Sequence, residues 1–176
     1  MKRILLLLVI IPIFFGCEKE QPFEKNGIYV NGQLECELKS AFSGGGSSAN
    51  GSSNRLHIYE KYYSASPLWN EVKERVLIQG FCYAGKEYDS KGDSISQISI
   101  NGLSSIGDLL ILLDQGKYEG GNDLVSSVKI VKYSFGKSDD ELNPTDNVQV
   151  KIKVILKDEQ TIDIFYSGST SFDNYF

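Results

Sequence analysis

The residues that could perform chemistry are few and stand apart from one another in the sequence. The one histidine is His57, and its neighbours Leu56 and Ile58 place it on a predicted strand. A histidine metal site needs at least two ligands at set spacings, and the chain has no HExxH and no CxxC motif. It also lacks the GxSxG elbow that carries a nucleophilic serine. We therefore predict no catalytic residue, no metal site and no cofactor.

Carboxylates are abundant, with 23 Asp and Glu residues, and they leave one class of enzyme open. A glycoside hydrolase needs only two carboxyl groups placed across a groove, and the sequence does not show which two would meet. The acidic segment 139–146 lacks the spacing of a calcium-binding loop, so we expect it to be a solvated loop. A small carboxylate-based hydrolase is thus a less favoured alternative to a protein without enzymatic activity.

An aromatic-rich segment follows His57 along the chain. Tyr62, Tyr63 and Trp69 lie close together in it. Aromatic rings stack on sugar rings and also dominate the energetic centres of protein–protein interfaces. We interpret these three residues as a candidate ligand platform. The alternative is that they fill the core or fix the segment to the sheet.

The N-terminal segment has the features of a targeting signal. Lys2 and Arg3 precede an apolar run from residue 4 to residue 15. A helix needs about 20 apolar residues to cross a bilayer, so this run is too short for a permanent span. A basic start followed by a short apolar stretch is typical of a secretory signal peptide.

The end of that signal, Phe14-Phe15-Gly16-Cys17, resembles the lipobox of bacterial lipoproteins. The resemblance covers residues 1–20 and implies that residues 1–16 are a cleaved signal peptide. It also implies that Cys17 carries lipid, including palmitate, and that this lipid anchors the chain to a membrane. Residues 17–26 would then form a tether. The acidic start of the tether resembles the export signal of some surface lipoproteins. We therefore expect an outer-membrane lipoprotein of the cell envelope, exposed at the surface; the alternative is an ordinary signal or short anchor with a chance cysteine.

Two further modifications depend on export. Cys36 and Cys82 would reach a compartment in which disulfides persist, and a bridge between them would contribute about 4 kcal/mol. The alternative is two buried thiols that act as small apolar side chains. Separately, Asp93-Ser94-Ile95 resembles the short O-glycosylation acceptor of some bacteria rich in surface lipoproteins, which implies that Ser94 is the acceptor.

Composition limits the partners of the exported chain. Cleavage removes the two positive charges of Lys2 and Arg3, so the formal net charge of −5 becomes −7. Because the sequence is acidic and has no run of basic residues, we predict that it does not bind nucleic acid. Residues 27–176 are long enough to bury a core, and we expect them to form a single β-rich globular domain.

Alternating apolar residues predict most of the secondary structure. Residues 148–157 show the clearest alternation, and Asn31-Gly32 between two extended segments indicates a tight hairpin. The Gly/Ser-rich segment 43–54 is typical of a flexible loop. The predicted strands lie at 27–30, 33–39, 55–63, 76–83, 94–101, 126–135, 148–157 and 161–166.

Residues 105–115 depart from this alternation. Ile106, Leu109, Leu110 and Leu113 have helical spacing, and Gly116 is a suitable C-terminal stop. These features favour one amphipathic helix over the alternative of a buried strand. The predicted fold class is α+β and β-rich: a mostly antiparallel, sandwich-like or curved sheet of about seven or eight strands with this single helix.

The functional prediction follows from the anchor and from the missing catalytic groups. We expect a lipid-anchored cell-envelope lipoprotein whose β-rich domain is a non-catalytic module that binds a ligand or partner, such as a glycan or an envelope protein. The alternatives are a structural or assembly subunit of the envelope and, less favoured, the small hydrolase.

Overall fold

The described part of the chain is built mainly from β-strands. The structure, a computed structural model, describes residue 23 and residues 25–48, 51–61, 73–82, 95–136 and 147–171. The strands are β1 (Gly27–Val30), β2 (Gln33–Glu37), β3 (Ser40–Ser48), β4 (Gly51–Tyr59), β5 (Glu74–Cys82), β6 (Ile95–Leu103), β7 (Gly107–Leu112), β8 (Val125–Gly136), β9 (Asn147–Leu156) and β10 (Thr161–Ser171).

All ten strands belong to one large mixed sheet that is mostly antiparallel. The order along its main path is β2-β1-β10-β3-β4-β5-β6-β7, while β9 pairs with the other edge of β10 and β8 pairs with β9. The one parallel pairing joins the end of β10, at Thr170 and Ser171, to β3. This junction divides the sheet into a β9 half, made of β1, β2, β8, β9 and β10, and a β5 half, made of β3 to β7.

One hydrophobic cluster collects buried side chains from both halves. In β9 the apolar residues alternate strictly, and Val148, Val150, Ile152, Val154 and Leu156 are all buried. The neighbouring strands contribute in the same way, since their buried positions carry mainly Ile, Leu or Val, whereas their outward positions carry a mixture of polar, aromatic and apolar side chains. The sheet therefore has an inward apolar face and an outward face in both halves, and the outward face is where a ligand could bind.

The predicted hairpin at Asn31-Gly32 is confirmed. Both residues have positive φ, 51° at Asn31 and 79° at Gly32, and such angles are required at the two central positions of a type I′ turn. The Asn31 side chain also accepts a hydrogen bond of 2.9 Å from the backbone N–H of Thr161. The turn thus fixes the register of β1 against β2 and ties both strands to the start of β10.

The predicted helix at residues 105–115 is wrong, because this segment forms β7 and its turns. Leu109, Ile111 and Leu113 are buried whereas Leu110 and Leu112 are exposed, which is the two-residue period of a strand. Gly116 has a φ of 75° and lies in the turn that follows β7 rather than at the end of a helix. In the ranges that the structure describes there is no helix, so none that is long and apolar enough to cross a membrane.

The Gly/Ser-rich segment 43–54 also differs from its prediction. Residues of β3 and β4 pair antiparallel from Ser40 opposite Tyr59 to Ser48 opposite Gly51. Together with β7, this extension of the sheet accounts for ten strands instead of seven or eight. Backbone hydrogen bonding needs no apolar side chain, so a sequence without alternation can still continue a ladder that its neighbours begin.

Candidate functional site

The candidate site is the outward surface of the β5 half, which we call the His57 face. It faces away from the core because its residues alternate with the buried ones along each strand. Its side chains are half-buried, except for the exposed Arg55. Its members are Phe42, Arg55, His57, Tyr59, Leu77, Gln79, Gln97 and Ser99.

Aromatic rings cover one side of the His57 face. Phe42 of β3 lies directly opposite His57 in the strand register, with 5.9 Å between ring centroids. Tyr59 follows two residues after His57 on β4, and the two rings stack with 6.4 Å between centroids and 11° between planes. Successive outward positions of neighbouring strands thus form a continuous aromatic surface.

A carboxylate joins this aromatic group. His57 Nδ1 is hydrogen-bonded to Glu74 Oε2, at the start of β5. Burial and, to a smaller extent, the negative charge of Glu74 together raise the pKa of the Tyr59 hydroxyl to about 12. Tyr59 therefore keeps its proton at neutral pH, and its hydroxyl is a hydrogen-bond donor rather than a phenolate.

Amide and hydroxyl groups occupy the other side of the face. Gln79 of β5 lies opposite Gln97 of β6, and Gln97 Nε2 donates a hydrogen bond of 3.2 Å to Ser99 Oγ. Leu77 separates this polar side from His57, because it lies opposite His57 on one strand and opposite Ser99 on the next. Aromatic rings beside amide groups can stack on a flat ligand and hydrogen-bond to its edges.

A second polar group lies at the end of the sheet near the starts of β5 and β7. Arg75 donates from Nε and Nη2 to Glu60 Oε2, at 2.7 Å and 2.6 Å. Its Nη1 donates to the backbone carbonyls of Asn101 and Gly102, at 3.1 Å and 2.8 Å. Every contact joins one element of the sheet to another, so we interpret this group as structural.

The thiol of Cys36 belongs to the same region. Its Sγ lies 4.0 Å from Glu60 Oε2, and Cys36 is a free cysteine packed against the core. Burial raises the pKa of this thiol; the positive charge of Arg75 opposes the rise, while Glu60 and Glu35 add to it. A thiol with a raised pKa is mostly protonated at neutral pH and is a poor nucleophile.

The position of Cys36 bears on the predicted disulfide with Cys82. Cys36 lies near Glu60 and Arg75, at the start of β5, whereas Cys82 is the last residue of that strand. From Arg75 to Cys82 the extended strand covers about 23 Å, and a disulfide needs Cα atoms within about 7 Å. The geometry favours the alternative of free thiols, although the side chain of Cys82 lies outside the described part of the chain.

Most of the other predicted site residues lie outside the described residues. They are the lipidation residue Cys17, the platform residues Tyr62, Tyr63 and Trp69, and the glycosylation residue Ser94. The segment that contains the platform leaves the described sheet after Lys61 and re-enters it at Lys73. Lys61, on one side of this segment, follows Tyr59 by two residues, and Lys73, on the other side, directly precedes Glu74. Tyr59 and Glu74 lie at one border of the His57 face. The acidic segment 139–146 is likewise outside the described ranges.

The described residues offer no site for a metal ion. Within the ranges given above, no group of three or more His, Cys, Asp or Glu side chains is arranged to hold one. His57 and Glu74 meet, but no further ligand of these types joins them there.

Sequence reasoning interpreted His57 as an ordinary strand residue without a catalytic role and missed the face around it. Phe42 lies at the border of the segment predicted as a loop, and Gln79 and Gln97 look like ordinary solvated strand residues. Only the cross-strand register brings them together. The run Val76-Leu77-Ile78 makes β5 apolar on both faces in the sequence, so the sequence shows neither that Gln79 faces outward nor which strands are neighbours.

Comparison with protein-family models, with curated proteins and with solved structures finds no match to this chain.

Proposed function

We propose that this chain is a lipid-anchored lipoprotein of the bacterial cell envelope, held in the outer membrane by lipid on Cys17, and that its β-rich domain binds a ligand without catalysing a reaction. The sheet, in this proposal, folds over its core as a sandwich. The ligand lies on the His57 face, and the chemistry of that face fits a glycan best, with a protein segment as the second choice.

The observation that carries the ligand proposal is the composition of the His57 face. Three contacting rings lie beside the side-chain amides of Gln79 and Gln97 on neighbouring strands: Phe42 is tilted against His57, and His57 is stacked on Tyr59. Sugar rings offer an apolar face for stacking and hydroxyl edges for hydrogen bonds, and these two kinds of group match that pattern.

The anchor proposal is supported by the basic start, the apolar run and the Gly16-Cys17 pair of the sequence. Two or more acyl chains hold a protein stably on a membrane, at about 0.8 kcal/mol per buried CH₂. In this proposal the anchor at Cys17 and the ligand site on the His57 face are separate parts of the molecule.

Affinity electrophoresis in gels that contain soluble bacterial surface polysaccharides tests the ligand proposal. The wild-type chain should be retarded by at least one polysaccharide, and His57→Ala should weaken that binding by up to about tenfold, since an aromatic contact contributes about 0.5–1.5 kcal/mol beyond its buried area. Phe165→Ala is the matched control, because it removes an outward aromatic ring from the β9 half. Equal loss in both variants would contradict a site on the His57 face.

A structural or assembly role is the alternative that one observation favours. β7 is the last strand of the main path, and its outward residues Leu110 and Leu112 are 50% and 59% exposed. Leu124 is also 50% exposed, close to the Asn122 side chain that donates a 2.8 Å hydrogen bond to the Leu110 carbonyl. An edge strand with apolar side chains can accept a strand from a partner.

A small hydrolase is the least favoured alternative. Glu35 and Glu60 are two carboxylates that both act on the Cys36 thiol. Glu35 accepts a hydrogen bond from the Ser104 backbone N–H, and Glu60 is held by Arg75. These bonds fix both carboxylates to the protein instead of directing them at a substrate.

A further inference from the structure

Four lysines of β8 and β9 lie on the outward surface of the β9 half, and we call this surface the lysine face. Lys129 lies opposite Lys153, and Lys132 lies opposite Lys151. Residues 129 and 132 are three positions apart, so on a regular strand they would point to opposite faces. The irregularity of β8 between Ile130 and Lys132 inserts one residue and brings both lysines to the same face.

This arrangement costs stability in the isolated domain. Like charges directly opposite each other on antiparallel strands repel. Lys39–Glu37 and Arg75–Glu60 are ion pairs of the described ranges, and Lys129, Lys132 and Lys153 take part in neither. Asp163 of β10 is opposite Lys153 and offsets part of the charge. A chain of net charge −5 thus gathers positive charge on one surface.

The N-terminal segment reaches the sheet on this same side. The Phe23 ring lies 4.7 Å from that of Tyr29 and 5.5 Å from that of Phe165, measured between centroids. Lys151 Nζ lies 5.4 Å from the Phe23 centroid. Five residues lie between Cys17 and Phe23, and the six extended steps from one to the other span about 20 Å at most. A lipid on Cys17 would therefore hold the lysine face close to the bilayer.

We propose that the lysine face docks on the membrane that holds the anchor and binds the head groups of its anionic phospholipids. This proposal rests on the proposed lipidation of Cys17. Charge complementarity supports it, since each lysine near an anionic surface contributes about fivefold in affinity. Two apolar residues of the β9 half, Leu34 and Ile155, are 42% and 37% exposed, lie on the outward side of β2 and β9, and would contact the head-group region.

The competing occupant is the chain's own tether. Glu18 and Glu20 lie between the anchor and Phe23, and their carboxylates could neutralise the same lysines. In that case the lysine face would show no preference for anionic vesicles.

Co-sedimentation with vesicles separates these outcomes. The chain from residue 17 onward with Cys17→Ser keeps every described contact and carries no lipid. It should bind vesicles that contain phosphatidylglycerol, bind pure phosphatidylcholine weakly or not at all, and be released by 1 M salt, where the Debye length is about 3 Å. The double variant Lys129→Gln/Lys153→Gln should lose roughly 30-fold, at about fivefold per lysine.

The matched control is Lys61→Gln/Lys117→Gln, which removes the same charge from exposed positions outside β8 and β9. It should bind like the unsubstituted chain. Equal binding to both vesicle types, or an equal loss in the control, overturns the proposal. Because this chain is unlipidated, the result does not depend on whether Cys17 is a lipidation site.

A second measurement uses the anchored protein itself. The full chain, lipidated in cells and reconstituted, should show slower acetylation of Lys129 and Lys153 on phosphatidylglycerol vesicles than on phosphatidylcholine vesicles. Lys117 should react at the same rate on both. Unchanged rates at Lys129 and Lys153 would show that the lysine face points away from the bilayer and would overturn the proposal.

Discussion

At the scale of single residues, the guanidinium of Arg75 donates hydrogen bonds to three residues, Glu60, Asn101 and Gly102. It joins the end of β4, through Glu60, to the end of β6, through the carbonyls of Asn101 and Gly102. Its side chain is only 15% exposed, so loss of its partners would leave a poorly hydrated charge. The backbone of Gly102 takes part, since its carbonyl accepts from Arg75 Nη1, and its φ of 69° lies in the left-handed region.

Gly102→Ala should therefore destabilise the protein more than Gly32→Ala. Both glycines have positive φ, which costs Ala about 1 kcal/mol. A Cβ at Gly102 would lie 2.5 Å from Arg75 Nη1, whereas a Cβ at Gly32 would have nothing within 4 Å. Because the guanidinium must move, we expect Gly102→Ala to lower the free energy of unfolding by about 1–2 kcal/mol more than Gly32→Ala does. Urea unfolding measures this difference.

An Arg75→Gln background provides the control for this prediction. The extra cost at Gly102 should disappear there, since the displaced group is gone. An extra cost that is unchanged in that background would show that it does not arise from Arg75.

The two cysteines allow a direct chemical test. With no reductant present, both Cys36 and Cys82 should react with iodoacetamide in urea, as shown by mass mapping of the peptides. In the folded protein Cys36 should react slowly at pH 8 and faster as the pH rises, because burial raises the pKa of its thiol. A peptide in which Cys36 is linked to Cys82 would contradict the free-thiol interpretation.

At the scale of elements, side-chain alternation predicted most strands but not all. β8, β9 and the start of β10 lie where the sequence placed them, because each must bury one face. β7 was predicted as a helix because its apolar run LLILL satisfies both periods at once. The paired Gly/Ser residues of β3 and β4 have no apolar period, so only their backbone partners reveal them.

The identity of β7 can be tested with two substitutions. In the strand, Ile111 is fully buried and Leu110 is 50% exposed. In the predicted helix, Leu110 would face the core and Ile111 would not. Ile111→Ser should therefore cost about 3 kcal/mol, and Leu110→Ser less than about 0.5 kcal/mol, by urea unfolding. A larger loss of stability at Leu110 than at Ile111 would contradict the strand and support the predicted helix.

At the scale of the whole molecule, the two halves of the sheet have outward faces of different chemistry. The β5 half carries the aromatic and amide groups of the His57 face, and the β9 half carries the lysine face and the docked Phe23. The sequence could not predict either face, because each depends on the register between segments that are far apart in the chain. Docking of the lysine face would leave the His57 face away from the bilayer.

The exposed edge of β7 gives a prediction about association. If the domain acts as an assembly subunit, light scattering should detect a concentration-dependent dimer, and Leu112→Lys should abolish it by placing a charge on the edge strand. Leu34→Lys is the matched control, since it charges an exposed leucine of β2. A chain that stays monomeric at all concentrations would contradict self-association through β7.

Metabolic labelling with palmitate tests the central claim, the lipid anchor on Cys17, most directly. Cells of a Gram-negative host that express the full chain should incorporate the label into it, and the Cys36→Ser variant should be labelled equally. The Cys17→Ser variant should carry no label and should leave the membrane fraction. Label that persists in Cys17→Ser, or that never appears in the unsubstituted chain, would contradict the account.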